Sequence, residues 1–143
     1  MNAEFKQKIK FVYKDLEGNI AIESVWAEKH GDFYKIKNVP FFAPNIAFDD
    51  IISVEYDDEE LFFDEIIEES GNSTIQIIVF NESLIPEITG EIERFNCGWE
   101  GSHLKGYISV NVPKDVSYLG LKQFLDSKSN DLDYKEACLA HTV

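Results

Sequence analysis

Between Phe48 and Glu69 the chain carries eleven acidic residues and not one Lys, Arg or His. Nine apolar side chains are interleaved with them: Ile51, Ile52, Val54, Tyr56, Leu61, Phe62, Phe63, Ile66 and Ile67. Unpaired carboxylates resist burial, so they must stay in water while the apolar side chains gather on the other side. That requirement selects a one-sided strand or an amphipathic helix and argues against a disordered acidic tail. Phe62, Phe63, Ile66 and Ile67 satisfy helical spacing, with Asp64, Glu65, Glu68 and Glu69 opposite. Their aromatic and β-branched character favours a strand, in which the doubled apolar residues need a bulge or burial on both faces. We adopt the strand.

The rest of the first half reads the same way. Ile9, Phe11 and Tyr13 alternate with Lys8, Lys10 and Val12, and Asp15-Leu16-Glu17-Gly18-Asn19 supplies a turn. On the return strand Ile20, Ile22 and Trp26 share a face, which predicts Trp26 as core, with a cost of ~3–5 kcal/mol for truncation to alanine. A turn at His30-Gly31-Asp32 leads to a short strand at 33–36. Pro40 and Pro44 exclude regular structure from 38–45, and Ile52, Val54 and Tyr56 form a further strand. Phe41 and Phe42, adjacent between the prolines, are expected to plug an internal interface, with one exposed aromatic anchor as the alternative.

After Ser70-Gly71-Asn72-Ser73 the period changes. Residues 74–80 form an apolar strand, then Leu84, Ile85, Ile88 and Ile92 trace a helix face capped by Asn81 or Ser83, with Pro86 in its first turn. Strands at 95–101 and 104–112 follow. Asp115 or Ser117 caps a second helix buried through Val116, Leu121, Phe124 and Leu125, and 131–139 is a closing strand. The predicted class is α+β: a small N-terminal barrel-like antiparallel sheet over 1–70, then a ferredoxin-like β-α-β-β-α-β unit over 71–143. No long polar linker separates them, so they are expected to pack as one compact unit. Cys97 and Cys138 then fall on opposite edge strands, beyond the ~7 Å reach of a disulfide.

Formal charge is −14. Such a surface repels phosphate, which argues against direct contact with nucleic acid or an anionic membrane. No apolar run approaches the ~18–20 residues of a membrane span, and Met1-Asn2-Ala3-Glu4-Phe5-Lys6 lacks a leader's apolar region, so a cytoplasmic protein is expected. Ser70-Gly71-Asn72-Ser73-Thr74 has neither the spacing nor the lysine of a phosphate loop. His30, His103 and His141 are isolated, and Asp57-Asp58-Glu59-Glu60 lacks the glycine of a calcium loop, so no metal or cofactor is expected. With no nucleophile beside a base, the chain is expected not to be an enzyme.

Four segments carry a resemblance: Glu23-Ser24-Val25-Trp26-Ala27-Glu28, Tyr34-Lys35-Ile36-Lys37-Asn38-Val39-Pro40-Phe41-Phe42, Ser70-Gly71-Asn72-Ser73-Thr74 and Val110-Asn111-Val112-Pro113. In this order they resemble the bacterial family called domain of unknown function 4265, over roughly residues 20 to 140. The family name implies no activity. Relatives of this size occur at polymorphic-toxin and contact-dependent inhibition loci, where the small acidic partner is an immunity protein, and the resemblance permits that role.

The expected function is therefore an acidic binding module, an immunity protein that occludes the active site of a toxin of the nuclease class. A nuclease holds a polyanion in a basic channel, which a folded acidic face can fill without offering a scissile bond. The residues expected to meet this basic partner are Asp57, Asp58, Glu59, Glu60, Asp64, Glu65, Glu68, Glu69 and Phe42. The alternative is an enzyme or small-ligand binder using the cleft between the subdomains, lined by Trp26, Phe41 and Asp50.

Overall fold

The Asp15 carboxylate accepts the amides of Glu17 and Asn19 and so shapes the first turn. On either side, β1 (Lys6–Lys14) and β2 (Ile20–His30) pair antiparallel with Ile9 opposite Val25 and Phe11 opposite Glu23. β3 (Phe33–Ile36), β4 (Ile51–Asp57) and β5 (Glu60–Glu68) continue the meander, and β5 returns beside β1 to close a barrel. With five strands running alternately up and down, the closing β1–β5 pair must be parallel, as observed. These statements come from a computed structural model that describes residues 6–142. The first five residues, read above as lacking a leader, lie outside the described part.

The doublets of β5 are resolved by two irregularities against β4. Val54 faces Phe63 but Ser53 faces Glu65, and Ile52 faces Ile66 but Ile51 faces Glu68. Asp64 and Ile67 are the extra residues, so Phe63 and Ile66 turn inward without dragging their neighbours with them. Inside the barrel Ile9, Phe11, Val25, Ala27, Ile36 and Ile52 pack with Leu61, Phe63 and Ile66, and the Phe11 and Phe63 rings stack at 4.8 Å.

Trp26 is the main correction. It is 45% exposed, and Ile20 and Ile22 are exposed at 74% and 53%. The strand was predicted correctly but its phase was inverted: Glu23, Val25 and Ala27 face inward. A carboxylate at 23 hid the inward face from any reading that keeps acids in water.

The second half forms a four-stranded antiparallel sheet from β6 (Ser73–Val79), β7 (Gly98–Gly101), β8 (Tyr107–Val112) and β9 (Leu132–Cys138), in the order β7-β8-β6-β9. Helices α1 (Ile85–Arg94) and α2 (Leu119–Ser127) bury one face of it through Ile88, Ile92, Leu121 and Leu125 against Ile75, Ile77, Ile108 and Val110. Asn81 accepts the Ser83 amide at the start of a single 3-10 turn, Glu82–Leu84, that leads into α1. The strand expected from 95 starts only at Gly98. The chain must first leave α1 through Asn96, whose φ of 63° ends the helix in the left-handed region. Asp115 does not cap α2; Ser117 accepts the Leu119 amide weakly, at 3.4 Å. The fold is thus α+β, with mostly antiparallel strands in two sheets and two helices.

Candidate functional site

The acids singled out by sequence line the β4–β5 hairpin. Asp57, Asp58, Glu59 and Glu60 occupy its tip, and all four are exposed, as are Asp64, Glu65, Glu68 and Glu69 farther along. Among the described residues, only Glu60 of these eight meets a cation, Lys10 at 3.4 Å. Strand period together with the two β5 irregularities explains the arrangement: the barrel takes Val54, Leu61, Phe63 and Ile66, and the acids are left outside.

The tip is built from two residues at positive φ, Asp58 at 50° and Glu59 at 65°. A two-residue hairpin needs this conformation at both positions, and glutamate tolerates it poorly. Glu59→Gly is therefore expected to raise stability by ~0.5–1 kcal/mol, after allowing for the freer unfolded chain. A urea titration that gave Glu59→Gly the same or a lower midpoint would contradict the turn geometry.

A second group of side chains was missed by sequence. Residues 37–50 form a strap that plugs one mouth of the barrel with Ala43 and Ile46 and lies on the sheet face opposite the helices. Strands meet part of its backbone: the Lys37 amide donates to the Trp26 carbonyl, that of Asn45 to Ala137 and that of Asp49 to Ile36. Between these points side chains satisfy it instead. Glu23 reaches from β2 and accepts the amides of Phe41, Phe42 and Ala43 at 2.7, 3.0 and 2.8 Å. Glu100 of β7 accepts that of Val39 at 2.9 Å. In the other direction Ser109 and Gln76 donate to the Pro40 carbonyl, Tyr107 to that of Phe41 and Thr74 to that of Ile46. The one available signal was a carboxylate in phase with Val25 and Ala27.

Asp50, expected to line a cleft, is instead 2% exposed and accepts the amides of Ala47 and Ser70. Burial raises its pKa, and those two bonds oppose the rise. Burial likewise raises that of Glu100, opposed by the Val39 amide and reinforced by Glu23. For an acid whose folded value lies above its unfolded one, the folded state holds the proton longer. Stability from Glu100 is then expected to fall as pH rises from the ordinary 4.5 through the higher folded value, and to be flat on either side. Glu100→Gln should flatten that slope; unfolding midpoints measured from the ordinary carboxylate value to neutrality would reveal an unchanged slope if the carboxyl titrates normally.

Between the β1–β2 turn and the open part of the sheet lies a cleft of about 430 Å³, lined by Tyr13, Leu16, Phe42, Ile78 and Tyr107 with Lys14, Asp15 and Asp133 among the charges. Phe42 is half-buried, stacked on Tyr13 at 5.8 Å and tilted against Tyr107 at 5.1 Å. Burial pushes the Tyr107 hydroxyl up to about 12. Phe42 therefore bridges barrel and sheet. Trp26, Phe41 and Asp50 do not line this cleft: Trp26 is on the outside of the barrel, Phe41 makes an edge contact with Tyr107, and Asp50 is buried at the end of the strap.

The thiols are unbonded, Cys97 just before β7 and Cys138 at the end of β9, on opposite edges of the sheet. Burial pushes both up to about 11, which keeps them protonated and poorly nucleophilic near neutrality. The Ser70-Gly71-Asn72-Ser73-Thr74 turn is a structural junction. Asn72 donates to the Phe48 carbonyl and accepts the Lys114 amide, while Ser73 accepts the Ala140 amide and bonds the His141 ring. No helix among the described residues is long and apolar enough to cross a membrane.

Over residues 23–134 the chain matches the model of a family described as Domain of unknown function (DUF4265). No curated protein matches it. Among solved structures it is similar to the crystal structure of a hypothetical protein from Neisseria gonorrhoeae, at 37% identity and a TM-score of 0.87, covering 96% of this chain and 97% of that one.

Proposed function

This chain belongs to the family of unknown function just described, and we propose that its role there is that of an acidic protein-binding module. Its partner is a protein with a basic surface, and we take that partner to be a toxin of the nuclease class whose active site the module occludes, acting as an immunity protein in the cytoplasm. The reading rests on one observation: eight exposed acids on the β4–β5 hairpin with one cation among them. An uncompensated folded surface of this kind costs stability by self-repulsion, and a basic partner relieves that cost on binding. Complementary charge also accelerates encounter toward ~10⁸–10⁹ M⁻¹s⁻¹ at low salt, which suits an inhibitor that must act before damage occurs. Neither catalysis nor a cofactor enters the reading.

We also take residues 1–70 and 71–143 as two subdomains of one compact unit. The second is ferredoxin-like, on its β-α-β-β-α-β order and the sheet order β7-β8-β6-β9. Supporting the single unit is the strap, whose backbone is held by Glu23 on one side and by Glu100, Ser109 and Thr74 on the other.

Changing Asp57, Asp58, Glu59 and Glu60 together to Asn and Gln is expected to slow association with the toxin and to flatten its salt dependence. Each exposed change should alter folding by no more than about 0.5 kcal/mol. The measurement is protection in co-expression with a toxin encoded immediately upstream, followed by association rates at low and high salt. Full protection with unchanged kinetics would remove the hairpin tip from the interface. A small-ligand reading is favoured only by the aromatic-floored cleft at Tyr13, Phe42 and Tyr107, and would predict partner binding insensitive to the four acids.

A further inference from the structure

The inverted phase of β2 leaves an apolar strip on the outside of the barrel. Val12, Ile20, Ile22 and Trp26 are 58%, 74%, 53% and 45% exposed, and the β1–β2 register sets Val12 directly opposite Ile22. A soluble chain rarely leaves so many large apolar side chains together on one sheet face without a use for them. The outward positions of β1 alongside are Lys6, Lys8, Lys10 and Lys14, and residues 6–14 hold no acid at all. In a chain of net charge −14, four of the thirteen cations are thus drawn up on one strand beside the exposed apolar strip. Lys8 opposes Trp26 and holds its ammonium 5.1 Å over the indole ring. Among the described residues only Lys10 of the four pairs with a carboxylate, Glu60.

We infer that the outer face of the β1–β2 hairpin is a second docking surface, opposite in sign to the acidic hairpin, for a polypeptide segment of a partner protein whose carboxylates alternate with aliphatic or aromatic side chains. The occupant follows from complementarity. Its apolar side chains cover Val12, Ile20, Ile22 and Trp26, and its carboxylates reach Lys8 and Lys14 at the two ends of the strip. A segment is required rather than a broad plane. β5 lies directly beside β1 and is the second strand of the acidic hairpin, within the ~10 Å over which charge is felt at moderate salt. An anionic lipid surface wide enough to cover the strip would lie over all of those acids, whereas a narrow segment along β1 and β2 meets fewer of them and sets its carboxylates on the lysines. A second copy stacked with β1 on β1 is disfavoured in the same way, because that isologous contact sets the lysine row of one chain on that of the other.

The test uses the folded chain, labelled with nitrogen-15, and a synthetic peptide alternating Glu with Leu and matched in length to β1. The two indole signals are assigned with Trp26→Phe. The expected result is that the Trp26 indole signal moves on titration while that of Trp99 stays. Two double variants, Lys8→Glu with Lys14→Glu and Ile20→Ser with Ile22→Ser, should each weaken binding by about tenfold or more, with the melting temperature little changed because all four residues point outward. The acidic quadruple variant at 57–60 should retain peptide binding, which separates this surface from the one proposed above. Three outcomes overturn the inference: equal binding of a Glu/Ser peptide, equal binding of phosphatidylserine vesicles lost in the same variants, or self-association in sedimentation abolished by them. An unmoved Trp26 signal with the Glu/Leu peptide also overturns it.

Discussion

Glu23→Ala is expected to destabilise the protein by ~4 kcal/mol, a large part of the ~5–15 kcal/mol margin of an ordinary domain. Glu23 is 9% exposed, and its carboxylate accepts three backbone amides in a row, those of Phe41, Phe42 and Ala43. A buried donor left without a partner costs ~1–3 kcal/mol, and the total is moderated where water enters the space the side chain leaves. Glu23→Gln grades the prediction. One carboxylate oxygen, Oε1, serves Phe42 and Ala43, and the other, Oε2, serves Phe41. An amide oxygen placed at Oε1 keeps two bonds and turns its NH2 toward the third donor, so the loss should be ~1–3 kcal/mol. Urea unfolding of both, beside Ile22→Ser as an exposed neighbour on the same strand, checks the order. If Glu23→Ala cost no more than Ile22→Ser, the strap would have to be held by something other than this carboxylate.

Gly106→Ala should be nearly as damaging, at ~3–4 kcal/mol, for a different reason. Gly106 has φ of 75°, and its carbonyl accepts the Val79 amide at 2.8 Å, where the end of β6 meets the start of β8. A Cβ there would stand 2.5 Å from the Val79 carbonyl oxygen, which is backbone and cannot swing aside. The left-handed conformation alone costs an alanine ~1–2 kcal/mol, and displacing β6 adds ~1–3 kcal/mol. Gly18→Ala separates the two, because Gly18 has φ of 83° with nothing within 4 Å of its would-be Cβ. Its cost should be the conformational part only. Equal midpoints for the two variants would show that β6 yields freely at Val79.

The charge pattern reads directly from sequence to structure. Acids interleaved with apolar residues between 48 and 69 were expected outside, and those from Glu55 to Glu69 are exposed as that rule requires, while Asp50 breaks it at 2% exposure. The doublets Phe62-Phe63 and Ile66-Ile67 left a bulge or two-sided burial open, and β5 takes the first, with Asp64 and Ile67 as the extra residues. Pro40 and Pro44 excluded regular structure from the segment that became the strap. In the second half, helical period placed α1 and α2 and their buried faces, with Leu121 and Leu125 fully enclosed.

What failed was phase. Alternation along β2 shows that one set of side chains is inside, but the choice between Ile20, Ile22, Trp26 and Glu23, Val25, Ala27 depends on what each set meets. Apolar content favoured the first set, yet the strap's unpaired amides made the inward position of Glu23 favourable, and those amides belong to residues 18 to 20 positions away in the chain. Asp50, at the end of the strap, is buried rather than in a cleft because it accepts the amides of Ala47 and of the more distant Ser70, and Trp26 is left outside. Period, turn chemistry and the outward fate of surplus charge are local properties, so the amino-acid sequence of this protein determined them by itself. Which face of a strand is buried, and which carboxylate leaves the water, was decided only by tertiary structure, because a buried charge becomes acceptable only once remote donors have been brought to meet it.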